Sequence, residues 1–313
     1  MISIRVNSFR IRVNLCLKKI KMIDRELLKK IRRIQITTSR MVTDVFAGQY
    51  KSIFKGKGME FSEVREYSPG DEIRSIDWNV TARMGHPYVK KFVEERELNI
   101  MLLLDKSLSC RFGTAGQLKS ALAAELCSVL AFSAIQNNDK IGLIIFTDGI
   151  EKFVPPHKGS RHVLRVVREA LYFKPKGKGT DVQGAISYLN RVTKRRTVAF
   201  IISDFYAPDF KSLLSVANKR HDVITVTITD PLELELPEAG LVRLEDAETG
   251  EEFFIDTSLP AIRKAYKKDA LRRFKERESL FRSIKVDNID IRTNIPYFRT
   301  LLKFFKMRER RLR

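Results

Sequence analysis

Only three cysteines occur among the 313 residues, Cys16, Cys110 and Cys127, with no C-x-x-C spacing and no histidine at finger spacing. A disulfide framework and a zinc finger are therefore excluded, and a reducing, cytoplasmic setting is expected. Histidine is as scarce, at four residues. His157 and His162 stand five apart, off the i, i+4 spacing of a helical metal pair, and no G-x-S-x-G elbow is available to a serine nucleophile. Long apolar runs are also missing, because Ile141–Phe146 and Val198–Ile202 are strand-sized, well short of the roughly 18 residues that suggest a membrane span. Residues 1–21 carry Arg and Lys through their apolar positions and lack the clean core of a signal peptide, so they are expected to be a basic extension outside the fold.

What is abundant is positive charge. Lys and Arg total 59 against 38 Asp and Glu, a formal +21, while 43% of the residues are apolar, enough for a buried core and too many for disorder. The excess sits at the ends: residues 1–40 carry +10 and residues 261–313 carry +12, leaving the middle near neutrality. Basic ends suggest phosphate neutralisation. Yet Tyr266, Phe274, Phe281, Phe298, Phe304 and Phe305 fall near helical spacing as core-facing stripes, with Arg and Lys on the wet side. That pattern favours a solvated face or an anionic membrane surface over nucleic acid.

Between Leu98 and Val226, short apolar runs alternate with amphipathic stretches. LNIMLLLD (98–105), IGLIIF (141–146), TVAFIISD (197–204) and DVITVTI (222–228) read as strands buried on both faces, and EKFVPP as a hairpin return ended by its prolines. Helical periodicity covers 118–135, 160–172, 181–192 and 209–219. Strands separated by helices predict a doubly wound, mostly parallel α/β sheet, with its ligand site beyond the carboxyl ends of the strands. A hairpin (241–244 with 252–255), a helix after Pro260, a strand 289–291 and a last helix from Pro296 close the chain. Residues 22–97 read as a separate, β-rich subdomain, and 98–313 as the α/β domain with basic C-terminal helices.

Three separated segments deliver chemistry to one edge of that sheet: Asp105, Ser107 and Ser109 after the first strand, Thr180 in KGKGTD, and Asp204 after the third. Two carboxylates and three hydroxyls suit Mg²⁺ or Mn²⁺, hard ions that take oxygen ligands and keep several waters. For any one segment, helix capping explains the same residues. KGKGT is not a P-loop, because Tyr172 stands at the first glycine position and Gly179 follows the lysine. An aspartyl-phosphate nucleophile at Asp105, which would make a metal-dependent phosphohydrolase, normally has a second Asp two residues on, where Ser107 stands. Cys110 beside this loop reads as a packed small hydrophobe.

The D-x-S-x-S run, the glycine-flanked Thr–Asp and the strand ending in Asp together resemble the metal-ion-dependent adhesion site of von Willebrand factor A-type domains. The resemblance implies hydroxyl ligands from Ser107, Ser109 and Thr180, with Asp105 and Asp204 binding directly or through water, and a partner's carboxylate completing the metal. Upstream, GKGMEFSEVREYSPGDEIRSIDWNVTARMGHPYVKKF (56–92) resembles the signature of domain-of-unknown-function family 58, whose members join it to the A-type fold; the two together cover roughly residues 25–305. That family implies a non-enzymatic, metal-dependent interaction module, an adaptor for a MoxR-type AAA+ ATPase. Lys106 stands where the A-type pattern often has a small or hydroxyl residue, and its charge beside a surface site is expected to weaken divalent binding. Asp71, Arg74, Asp77, Trp78 and Arg83 are expected to form an ion-pair network around a buried Trp78, since each carboxylate has an arginine close by and no histidine is near.

Overall fold

The computed structural model describes residues 2–6, 9–13, 60–93, 97–114, 117–246 and 250–312. It is a mixed α/β structure built on a mostly parallel six-stranded sheet. The first central strand, β5 (Asn99–Asp105), is flanked by β6 (Lys140–Phe146) on one side and β8 (Val198–Ser203) on the other. Beyond β6 lies the antiparallel β7 (Ile150–His157); beyond β8 lie β9 (Asp222–Thr229) and β12 (Asp287–Arg292), both parallel. The chain thus winds outward from β5 in one direction, returns to β8, and winds outward in the other. Such a reversal opens a crevice at the carboxyl ends of the two central strands.

Burial of both faces explains why the strands are apolar throughout. Ile100, Leu102 and Leu104 of β5 face α2 (Lys119–Gln136), α3 (Ser160–Tyr172) and α7 (Tyr297–Leu312). Met101 and Leu103 face α4 (Val182–Val192), α5 (Lys211–Arg220) and the end of α6 (Pro260–Ser283). Helix boundaries follow local chemistry. Asp181 caps α4 by accepting from Gly184 N, Pro260 opens α6, and α2 ends at Asn138, whose φ of 57° asparagine tolerates better than most residues. The expected stripe on α6 holds at Phe281, which is buried, but Leu271 is exposed. β7 runs through Pro155 and Pro156 instead of stopping at them, because it is the sheet's edge strand and its pairing with β6 is irregular there, the register shifting between Val154 and His157.

The remaining strands form two smaller sheets. β10 (Leu241–Asp246) and β11 (Glu252–Asp256) make the expected hairpin, joined by β1 (Ile2–Val6) and β2 (Phe9–Val13) in the order β1-β2-β10-β11. Part of the segment expected to stand outside the fold is therefore paired with it, Ile11 opposite Leu244. The cue was the alternation of apolar residues and arginines in ISIRV and FRIRV around Asn7–Ser8, a strand period and not a random basic tail. Residues 14–59 lie outside the described residues.

Residues 60–93 contain the hairpin of β3 (Glu60–Glu66) and β4 (Tyr88–Val93) around α1 (Trp78–Met84). The expected ion-pair network takes a different form here. Asp71 pairs with Arg65 at 2.6 Å and accepts from Ser68 N, while Asp77 caps α1 through Asn79 N and Val80 N. Arg74 and Arg83 make no ion pair among the described residues, and Trp78 is 66% exposed. The capping role of Asp77 puts Trp78 at the first helical position on a short helix, where it points to solvent. Trp78→Ala should accordingly change stability by less than about 0.5 kcal/mol, whereas Leu102→Ala in the central strand should cost about 2–5 kcal/mol. Urea titration of both variants checks this; equal midpoints would contradict the assigned core.

Candidate functional site

β5 and β8 are neighbours in register, Leu104 opposite Ile202, so the residues that follow them meet at the crevice. The Asp105 carboxylate accepts from Ser107 N at 2.8 Å and from Ser203 Oγ at 2.6 Å. The Ser107 and Ser109 hydroxyls lie 2.7 Å apart where the chain enters a short 3-10 turn, Leu108–Arg111. Leu108 N donates to Lys178 O at 3.0 Å, and Asp181 N to Thr147 O at 2.6 Å, which brings the half-buried Thr180 to the same edge. All five expected site residues thus gather at one end of the sheet.

The glycine-rich loop has its own occupant. Lys176 N and Gly177 N both donate to Glu151 Oε1, at 2.9 and 2.7 Å, and Lys178 N to Asp148. The Gly177 amide and its neighbours hold the Glu151 carboxyl below its ordinary range. A Cβ at Gly177 would collide with Asp148 and Thr147, so the glycine is there for close approach. Amides that a phosphate would need are committed to a carboxylate of the chain itself, in line with the rejected P-loop.

Contrary to expectation, the carboxylates are not at the surface: Asp105 and Asp204 are fully buried. Lys106, the cation expected beside them, is itself buried just past the end of β5; burial pushes the Cys127 thiol of α2 up, and the charge of Lys106 opposes that shift. The cation of the site is Lys119, the first residue of α2 and 1% exposed, whose Nζ lies 2.9 Å from Asp204 Oδ2 and 2.6 Å from Glu233 Oε1. Burial works against the ammonium, but the two carboxylates outweigh it and raise its pKa, so it stays charged. Glu233 is held in turn by a capping box with Asp230, which also accepts from Thr114 N, Thr114 Oγ1 and Thr293 Oγ1. Arg277 donates to Asp204 O at 2.8 Å and lies over the Tyr206 ring.

Lys119 and Glu233 escaped the sequence reading because neither belongs to a motif. One signal was present: Lys119 and Glu125 are the sole charged residues of α2, and a lone lysine opening an otherwise uncharged, buried helix needs a partner. Among the described residues, Asp105 is the carboxylate without such a partner. Burial and the Asp204 charge push its pKa up to about 6.

Among the described residues, no three carboxylate, imidazole or thiol side chains converge on one metal position. A metal here would rest on hydroxyls. Mg–O bonds of about 2.0–2.1 Å at right angles put adjacent ligand oxygens about 2.9 Å apart, close to the Ser107–Ser109 separation. Hydroxyl and carboxylate oxygens are the donors a hard cation takes, and Asp204 would then divide its charge between such an ion and Lys119. As a nucleophile Asp105 is poorly placed, since both its oxygens accept hydrogen bonds and neither is exposed.

Replacing Lys119 by Met takes away the ammonium that the buried Asp204 and Glu233 share, which should cost about 3–5 kcal/mol in denaturant titration. Adding Glu233→Gln should recover part of that loss. An unchanged midpoint for Lys119→Met would show that another cation neutralises the site.

Comparison with known proteins places the chain in a family. The profile described as "Protein of unknown function DUF58" matches residues 63–276, a narrower span than the 25–305 expected. An uncharacterized protein of Mycobacterium tuberculosis is 32% identical over 292 residues, covering 92% of this chain and 91% of its own. The uncharacterized protein YeaD of Bacillus subtilis is 25% identical over 59% of this chain and 43% of its own. Among solved structures, the conserved hypothetical protein BatB of Bacteroides thetaiotaomicron is 15% identical, with a TM-score of 0.44, over 68% of this chain and 99% of that one. The chain belongs to the DUF58 family.

Proposed function

We propose that this chain is a non-enzymatic interaction module of the von Willebrand factor A type, engaging a carboxylate of a protein partner through Mg²⁺ or Mn²⁺ at the crevice between β5 and β8. Ser107, Ser109 and Thr180 would hold the ion through hydroxyls, and Asp105 and Asp204 directly or through water. The observation that carries the reading is the Ser107–Ser109 hydroxyl pair, 2.7 Å apart beside Asp105, a buried carboxylate with no cationic partner of its own among the described residues. The strand order, with its reversal between β5 and β8, supports the A-type assignment. The bound ion supplies a Lewis-acidic position for the partner's carboxylate; the chain's residues fix the hydroxyls and keep the ion at the end of the sheet. A MoxR-type AAA+ ATPase is the partner class this reading carries forward.

Calorimetry with Mg²⁺ and Mn²⁺ tests it. The Ser107→Ala/Ser109→Ala variant should keep its melting temperature within a few degrees and lose at least tenfold in metal affinity, about 1.4 kcal/mol or more. Wild type should not hydrolyse an aryl phosphate in the presence of Mg²⁺. Equal affinities for variant and wild type would overturn the metal assignment, and Asp105-dependent turnover would turn the reading to a phosphohydrolase.

A further inference from the structure

The basic C-terminal helix divides into cations that hold the fold and cations that do not. On α7, Leu301, Phe304 and Phe305 are buried against the central sheet. Arg308 pairs with Asp222 and Asp287, and Arg311 with Asp287 at 3.1 Å, so these two fasten the helix to the amino-terminal ends of β9 and β12. Arg299, Lys303, Lys306 and Arg310 are different. They are exposed, and none has an ion-pair partner among the described residues. Spaced four, three and four residues apart, they lie on one helical face in a line of about 16 Å.

The same face carries apolar side chains that are not fully buried, Met307 at the surface and Leu302 packed in part against the core. Met307 is 39% exposed and Leu302 is partly so, and with the four cations they line one shallow depression. A row of unpaired cations calls for an anionic partner. The interspersed Met and Leu decide which kind, because nucleic-acid backbones and base edges reward cations and polar donors, Arg and Lys among them, and give little in return for exposed aliphatic side chains. A lipid bilayer surface rewards both features at once, with headgroup phosphates for the cations and the acyl boundary for the apolar side chains.

We propose that the Arg299–Lys303–Lys306–Arg310 face of α7, with Leu302 and Met307, docks this protein on an anionic membrane surface. The inference stands independently of the metal reading. α7 runs from the carboxyl end of β12 down to the opposite edge of the sheet, so a bilayer lying along it leaves the crevice between β5 and β8 open to a partner.

Flotation of the full chain with vesicles of phosphatidylcholine alone, and of phosphatidylcholine mixed with phosphatidylglycerol, tests this. Wild type should bind only the mixed vesicles, and less as salt is raised. Single changes such as Lys306→Gln should weaken binding about fivefold each, the worth of one cation near an anionic surface. The fourfold variant Arg299→Gln/Lys303→Gln/Lys306→Gln/Arg310→Gln should lose binding while melting like wild type. Met307→Ser should weaken binding and leave its salt dependence unchanged, a readout that pure charge attraction would not give. Undiminished binding by the fourfold variant would overturn the proposal and move the contact to other basic segments, such as residues 1–40. Preference of wild type for a DNA duplex over the mixed vesicles would overturn it in favour of nucleic acid.

Discussion

The site edge of this protein depends on one buried ammonium. Lys119 stands between Asp204, which follows β8, and Glu233, which belongs to the turn after β9, so a single side chain at the start of α2 joins three separate segments. An unpaired carboxylate in such a place is costly, and two would be prohibitive. With Lys119 present, Asp204 can sit fully buried beside Asp105, and the capping box of Asp230 and Glu233 can close the loop that follows β9. Among the described residues, the other carboxylate, Asp105, accepts from neutral donors, Ser203 Oγ and Ser107 N. That asymmetry is the basis of the functional reading: one carboxylate neutralised from within the chain, the other left for a cation from outside.

Charge is arranged on a larger scale by the same logic. Cations with partners inside the fold are structural: Lys119 lies between two buried carboxylates, Arg308 on the half-buried Asp222, and Arg277 on the backbone carbonyl of Asp204, while those on the outer face of α7 have no ion-pair partner among the described residues. The net charge of +21 therefore does not describe a uniformly basic protein. It describes a near-neutral α/β body with basic terminal segments, and only the unpaired cations are available to attract a partner.

Much of the fold was legible because the central strands are buried on both faces. Uninterrupted runs such as LNIMLLLD and VAFIIS have one reading as strands between helices, and the helices between them carry clear periodicity. The site residues were legible for a related reason, since Asp105 and Asp204 end their strands and strand ends meet at a reversal of strand order. Lys119 was not legible, because its partners lie 85 and 114 residues away and no local pattern encodes them. Trp78 misled in the opposite direction: the only tryptophan invites burial, yet its place at the start of a seven-residue helix capped by Asp77 leaves it in solvent. The β1–β2 pair was missed because arginines in alternate positions read as a basic tail unless the period of two is counted.

Anomalous diffraction from crystals grown with Mn²⁺ addresses the division of labour between the two carboxylates most directly. The account predicts a peak at the Ser107 and Ser109 hydroxyls beside Asp105, with Lys119 still paired to Asp204 and Glu233. A peak held by Asp204 and Glu233 with Lys119 swung away, or no peak at saturating Mn²⁺, would contradict it.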